Sequence, residues 1–410
     1  MTLWQRFFRK LVFWKLEGLR NGHLTIHHDG EHHAFGNPQG LAAEVRVVEP
    51  RFFTAVIIGG HVGAADAYAE GWWTTDDLPA VVRVFVQNRE LVDGLETGLA
   101  RLVQPFRWLI HALNRNNKVG SRKNIAAHYD LGNDFFELFL DETLTYSCAY
   151  FEQDDISLAE ASQAKYDRIC RKLDLKPEHH LVEIGSGWGG FAIHAAERYG
   201  CQVTTTTISQ EQCELARERI RAAGLSDHVT VLLSDYRDIK GEYDRLVSIE
   251  MIEAVGHQYF PAYFEACANL LSPEGLAAIQ AITILDDQYE QARKEVDFIK
   301  RYIFPGSCIP SISVLLSAAK QTDLSMVHTE DLGVHYVRTL REWRHRFSQR
   351  DTEIAALGFD TWFRRIWDFY FSYCEGGFAE RAINVSQLIF AKPGAALPLK
   401  SIPQQEKQIA

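Results

Sequence analysis

The chain has 410 residues, 46% hydrophobic and 24% charged, enough for two domains with sizeable cores. Its net charge of -11 excludes a dedicated nucleic-acid binder, because phosphate contacts need a basic surface. The cysteines (Cys148, Cys170, Cys201, Cys213, Cys267, Cys308 and Cys374) are odd in number and form no C-x-x-C pair, which argues against a disulfide framework or zinc site and for a reducing cytosol.

Residues 1–123 read as a first domain. Arg6, Arg9 and Lys10 fall inside the first apolar run and no small-residue cleavage site follows, so no signal peptide is expected. Trp4, Phe7, Phe8, Leu11 and Trp14 recur at helical spacing, in a segment with five basic residues and only Glu17 as acid. Arg101 to Lys123 repeats the pattern, with six basic residues, no acid, and Phe106, Leu109, Ile110 and Leu113 on one face. Basic helices with aromatic faces suit an anionic membrane surface, and packing on the protein's own core is the plain alternative for each stripe. Between them lie alternating apolar segments (Ala43 to Val48 and Phe52 to Ile58), a Gly59-Gly60 turn and helical text through Val103. Ala69-Glu70-Gly71-Trp72-Trp73 reads as a core anchor. No stretch is expected to reach the apolar length that spans a bilayer. A homodimer built through this domain is one arrangement the chain allows.

Residues 124–394 read as a second domain, and 395–410 as a loose tail. Ser157-Leu158-Ala159-Glu160 is a capping box opening a helix to about Leu173. Strands are expected at Leu181 to Ile184, Val203 to Ile208, Val229 to Leu233, Arg245 to Ile249, Leu276 to Ile284 and Val385 to Phe390. Helices are expected after Gly190 and over 211–223, 259–271, 339–347 and 352–373, with a helical insertion at about 286–320. Strand alternating with helix predicts an α/β fold, a parallel sheet covered on both faces.

Gly185-Ser186-Gly187-Trp188-Gly189-Gly190 follows the first strand of this domain and opens a helix, the place for an adenosine cofactor. Glu183, just before the turn, fits a methyltransferase better than a dehydrogenase. The second strand ends in threonines where a dinucleotide fold carries an acid, so Thr207 and Gln212 are the polar groups for a ribose. Asp235, after the third strand, is placed for an adenine amino group or for a solvated turn.

With these residues the sequence resembles the cyclopropane-fatty-acyl-phospholipid synthases and mycolic acid cyclopropane synthases, from about Asn124 to Lys392. The resemblance is carried by Ala127-His128-Tyr129-Asp130-Leu131-Gly132-Asn133-Asp134-Phe135-Phe136, Thr145-Tyr146-Ser147-Cys148-Ala149-Tyr150-Phe151, the glycine turn, Thr207-Ile208-Ser209 with Gln212, Ser248-Ile249-Glu250-Met251-Ile252-Glu253, Tyr302-Ile303-Phe304-Pro305-Gly306, and Cys374-Glu375-Gly376-Gly377-Phe378. It implies a class I methyltransferase fold with a seven-stranded sheet, and S-adenosylmethionine as donor, held by Tyr146, Ser147, Gly185, Gly187, Thr207 and Gln212; Trp188, within the turn, and Asp235 join that set. It also implies a bicarbonate ion near Cys148, Glu253, a histidine, Ile282 and Tyr336. The chain departs from the family pattern at the histidine, where it has Gln280, which cannot carry a proton or a positive charge. Either the ion is held differently or the deprotonation step differs.

An isolated alkene is a poor nucleophile, so its partner must be a strong electrophile such as the sulfonium methyl. Attack leaves a carbocation, and ring closure needs a base beside it in a site closed to water. Glu253 with Cys148, Gln280 and Tyr336 is the expected cradle for a bicarbonate base on an unsaturated membrane phospholipid. Tyr146, Tyr302, Phe304 and Tyr336 are candidates to face the cation, with Tyr302 and Phe304 more readily read as core lining. Cys374 is read as lining the site. Rival readings are a C-methyltransferase giving a methyl branch, a small-molecule N-methyltransferase, and a lipid-binding module without activity.

Overall fold

A computed structural model describes residues 1–91 and 131–397. The basic stripe at Arg101 to Lys123, His128 and the rest of Ala127 to Asp130 lie outside the described residues, as does the tail beyond Leu397. The chain divides into two compact units: Met1–Asn114 with Lys294–Pro305 and Leu340–Ile383, and Arg115–Arg293 with Gly306–Thr339 and Asn384–Ala410.

In the first unit, a helix over Leu3–Leu16 starts at a Thr2–Gln5 capping box. Strands β1 (His23–His28), β2 (Glu31–Gly36), β3 (Ala42–Val47) and β4 (Trp73–Thr74) form a sheet in the order β2-β1-β3-β4. Asp29 and Gly30, at φ 59° and 80°, make the tight turn between β1 and β2. Phe52 to Ile58 is not a strand-like segment: it is helical, and the span Arg51–Ala69 is two helical stretches joined at a kink at Gly60, whose φ of 57° and ψ of -139° lie outside the helical region, so the chain does break at the expected glycine pair. This span, with a mean hydropathy of 1.2, is long and apolar enough to cross a membrane by length and composition, contrary to the sequence reading. It is mostly buried within the protein, with Phe53, Val62 and Ala65 at zero exposure. The helix over Thr361–Ala379 packs on it and on the helix over Leu78–Val86. Gly376 permits that approach, since a Cβ there would stand 2.5 Å from Val82.

The second unit carries a seven-stranded sheet of β5 (His180–Ile184), β6 (Gln202–Thr207), β7 (Val229–Leu233), β8 (Tyr243–Ile249), β9 (Leu271–Ile284), β10 (Ser325–Asp331) and β11 (Ile383–Ala391). The order is β10-β11-β9-β8-β5-β6-β7; β9, β8, β5, β6 and β7 pair in parallel, and β10 and β11 pair antiparallel. Alternate residues supply the cores of the two faces. Val182, Leu246 and Ile279 join Phe260, Tyr263 and Phe264 on one side, while Leu181, Val247 and Ala278 join Ile169, Phe191 and Ala195 on the other. The chain leaves β5 toward β6 and β7, then returns to lay β8 on the other side of β5. A parallel sheet opens its crevice at such a switch, beyond the carboxyl ends of the strands. The expected insertion holds helices over Asp286–Ala292 and Ile312–Ala319.

Candidate active site

The turn after β5 has Gly185, Gly187 and Gly189 at φ 98°, 47° and 86°, which side chains with a Cβ rarely adopt. A Cβ at Gly187 would meet nothing within 4 Å, so the turn faces open space, while one at Gly185 would press on Met251 at 3.2 Å. This is a cradle for a ligand that approaches the backbone closely, and it fits an adenosyl donor. Trp188 donates from Nε1 to Asn133 at 2.6 Å, and its ring lies 5.0 Å from Phe136, which in turn lies 5.4 Å from Tyr146. The separated motifs at 133–136 and 145–151 thus meet beside the turn. Thr207 donates to Gln212 Oε1 at 2.9 Å, at the end of β6. Asp235 caps the short turn after β7, and Arg237 donates to its carboxylate from Nε at 2.7 Å and Nη2 at 2.6 Å. Ser147 accepts from Lys165 Nζ at 2.8 Å. Burial pushes Lys165 down to about 8, although the charge of Glu250 pulls the other way. Burial pushes Glu183 up to about 8, while the Thr205 hydroxyl donates to it at 2.6 Å.

The end of β8 is strained. Glu250 has φ 47°, a left-handed conformation that costs a non-glycine residue on the order of 1 kcal/mol. Its N–H donates to the Gln280 carbonyl at 2.7 Å, which ties the bend to β9. Its carboxylate accepts three hydrogen bonds: from the Cys148 N–H at 2.9 Å and Gln280 Nε2 at 2.7 Å on Oε1, and from the Tyr336 hydroxyl at 2.6 Å on Oε2. Burial lifts Glu250 above the usual carboxylate range and these donors pull it back. Glu253 lies in the following turn over Ile252–Ala254, where Oε1 accepts from the Ile282 N–H at 2.5 Å and Oε2 is closed from solvent with no hydrogen-bond partner among the described residues. Burial, then the neighbouring charge of Glu250, pushes Glu253 up to about 8. Glu253, with one donor, therefore holds its proton at neutral pH, while the three donors on Glu250 favour its charged form.

The residues expected around Glu253 do come together, with a different centre. Cys148, Gln280 and Tyr336 meet at Glu250, because the left-handed bend swings that side chain toward them, and of the set only Ile282 reaches Glu253. Cys148 acts through its backbone: its thiol donates to the Ala149 and Leu332 carbonyls, and burial, then Glu250, keeps it protonated. Cys374 belongs to the first unit, on the helix over Thr361–Ala379, where burial also raises its thiol. Tyr302 and Phe304 belong there too, the first donating to Asp66 and the second against Tyr370.

Behind Gln280 runs a chain of polar groups. Gln387 Nε2 donates to Gln280 Oε1 at 3.0 Å, and Lys172 donates to Gln387 Oε1 at 2.6 Å. Lys172 and Arg168 both donate to Glu330, and all three side chains are buried. An ammonium can only donate, so Lys172 fixes the carbonyl end of Gln387, which fixes that of Gln280 and turns the Gln280 N–H2 toward Glu250.

The profile of the mycolic acid cyclopropane synthetase family matches residues 116–388. The chain belongs to that family. It is an S-adenosylmethionine-dependent methyltransferase with a class I α/β fold and an additional N-terminal region. Among its relatives, the tuberculostearic acid methyltransferase UfaA1 of Mycobacterium tuberculosis is 40% identical over 82% of this chain and 81% of its own. The cyclopropane-fatty-acyl-phospholipid synthase of Escherichia coli is 36% identical over 85% and 88%. The solved structure of mycolic acid cyclopropane synthase CmaA1 complexed with SAH and CTAB superposes with a TM-score of 0.62 at 33% identity, over 66% of this chain and 98% of that one.

The sequence alone did not single out Glu250, Lys165, Lys172 or Gln387. Glu250 stood in a quoted motif, but nothing in a sequence shows its left-handed backbone. The available signal was Gln280: a buried amide needs partners for both of its ends.

Proposed function

We propose that this enzyme transfers the S-adenosylmethionine methyl group to the cis double bond of a monounsaturated acyl chain in a membrane phospholipid and closes the product to a cyclopropane. The observation that carries the reading is the joining of the glycine turn, through Met251, to a triply hydrogen-bonded carboxylate at the next strand end. S-adenosylmethionine supplies an electrophilic methyl group. Gly185, Gly187, Trp188, Thr207, Gln212, Tyr146, Ser147 and Asp235 are the residues placed to hold it. Addition to the alkene leaves a carbocation, and a fixed anion nearby stabilises it and can accept its proton. A separate bicarbonate does not fit this arrangement. The Cys148, Gln280 and Tyr336 donors are held by Glu250, and Ile282 by Glu253.

The N-terminal helix supports a peripheral place on the inner face of a membrane. Leu3, Trp4, Phe7 and Trp14 are 83%, 72%, 55% and 62% exposed, while Val12 and Leu16 face the core. The test of the function is incubation with labelled S-adenosylmethionine and vesicles of a monounsaturated phospholipid, followed by mass analysis of the acyl chains. A gain of one CH2 supports the reading; methylation of amines with untouched acyl chains rejects it. The 40% identity to a tuberculostearic acid methyltransferase favours one second reading, a methyl-branched product. That product carries two further hydrogens, so the same spectrum separates the two.

A further inference from the structure

We propose that Glu250 is the base of this enzyme, so that a carboxylate of the chain itself, and no captured anion, takes the proton from the methylated acyl chain. The proposal rests on the acyl-alkene reading above.

Three groups that would each serve a small anion converge on one side chain. The Cys148 N–H and Gln280 Nε2 are 2.9 and 2.7 Å from Oε1, and the Tyr336 hydroxyl is 2.6 Å from Oε2. None of the three contacts is arbitrary in direction. A peptide N–H only donates, and the Gln280 amide is fixed in polarity by Gln387 and Lys172 behind it. The backbone of Glu250 is held in its left-handed bend by a hydrogen bond to β9. A non-glycine residue kept in such a bend, with its side chain aimed at convergent donors, marks a place where the fold is spent on function rather than on its own regularity. Glu253 supplies the contrast. It has one backbone donor and, among the described residues, one bare oxygen, and it is pushed up to about 8, so it holds its own proton at neutral pH, whereas three donors converge on Glu250.

The step balances with what is present. The alkene π pair forms the new C–C bond to the methyl carbon as the S–CH3 bond breaks, which leaves neutral S-adenosylhomocysteine and a cation on the other alkene carbon. Glu250 takes one proton from the added methyl group. The electron pair of that C–H bond forms the second C–C bond and closes the ring. Glu250 ends as the neutral acid and returns its proton to solvent before the next turnover.

The experiment uses the full chain, labelled S-adenosylmethionine and monounsaturated phospholipid vesicles, in buffer stripped of carbon dioxide and with bicarbonate or formate added back. The wild type is expected to turn over equally with and without bicarbonate. Glu250→Gln, which keeps the shape and removes the base, is expected to lose about 100-fold or more in turnover while binding S-adenosylhomocysteine in calorimetry. Glu250→Gly leaves the same donors around an empty space, and is expected to regain turnover when formate or bicarbonate is supplied. A wild type that stops when bicarbonate is removed overturns the proposal, as does an active Glu250→Gln. Two folded, inactive variants with no recovery in formate or bicarbonate also overturn it, leaving Glu250 a structural carboxylate. A wild type that binds the donor but leaves every unsaturated lipid unmethylated is a different result: it removes the acyl-alkene reading, and the base with it.

Discussion

Lys172→Met separates positioning from stability in this site. The side chain of Lys172 is at 0% exposure, and burial lowers its pKa from 10.5 to about 8 even though Glu330 pulls it up. That fall of about 2.5 corresponds to roughly 3 kcal/mol that the fold spends to keep the ammonium charged. Methionine has a similar volume and removes that cost. The pull of Glu330 is already contained in that net fall, so what stands against it is a Gln387 carbonyl left without its donor, about 1–3 kcal/mol. Glu330 keeps Arg168. The sum runs from no change to a stabilisation of about 2 kcal/mol, a shift in Tm of a few degrees at most. Function should change more. Without the ammonium, Gln387 and Gln280 lose their fixed polarity, and Glu250 loses one of three donors. Removing a hydrogen bond to the charged form raises the pKa of the base, and turnover falls most at the acid end of the profile. The assay is kcat against pH for wild type, Lys172→Met and Lys172→Arg. The acid limb, where the base takes up its proton, should move to higher pH in the methionine variant and stay in place in the arginine one, which also only donates. A lower rate with an unmoved limb would refute the relay and leave Lys172 a packing residue.

Other expectations follow from the same contacts. Tyr336→Phe removes a hydroxyl donor from Glu250 and should cost about tenfold or more in turnover, whereas Cys148→Ala keeps the backbone N–H and should cost less; the reverse ranking would show that the thiol takes part. Glu183 is raised from 4.5 to about 8, so the folded chain binds a proton that the unfolded chain has lost between those values. Its contribution is complete below pH 4.5 and is lost as pH rises toward 8, on the order of 3–5 kcal/mol in all. Glu183→Gln does not titrate, so its Tm relative to wild type should climb between pH 5 and 8; a constant difference would mean an ordinary carboxylate. Replacing Trp4, Phe7 and Trp14 by serine should weaken flotation with anionic vesicles several-fold without changing S-adenosylhomocysteine binding, and equal flotation would free the helix from that role.

The parallel core was legible because its strands read as short, mostly apolar runs, as in Leu181 to Ile184, buried throughout, and Val229 to Leu233, alternately buried, each within a residue of its observed bounds. The Ser157 capping box placed its helix for the same local reason. β10 escaped notice because Ser325–Asp331 is a polar strand, half of it exposed, whose pairing comes from β11 and not from its own pattern. Phe52 to Ile58 misled in the opposite sense: an alternating apolar segment is helical here, with Phe52, Phe53 and Ile57 buried, while the glycine pair after it does mark a break, the kink at Gly60. At the site, the glycine turn, Cys148, Gln280 and Tyr336 were legible by type. Their common partner was not, because which of two carboxylates three residues apart faces them is decided by one backbone angle.

Gln280 and Glu250 are best understood as two ends of one change. An imidazole at position 280 would offer a proton or a positive charge to whatever anion stands in front of it. Beside a carboxylate fixed to the chain, that charge would hold the pKa down and weaken the base. A neutral amide orients Glu250 by a hydrogen bond at 2.7 Å and leaves its charge for the cation on the acyl chain. The amide brings a requirement of its own, since it works only with its N–H2 toward Glu250 and would oppose the carboxylate if it flipped. Gln387 meets that requirement and Lys172 sets Gln387 in turn, so the buried Arg168–Glu330–Lys172 cluster, which no argument from stability alone would favour, has a use in the chemistry two residues away.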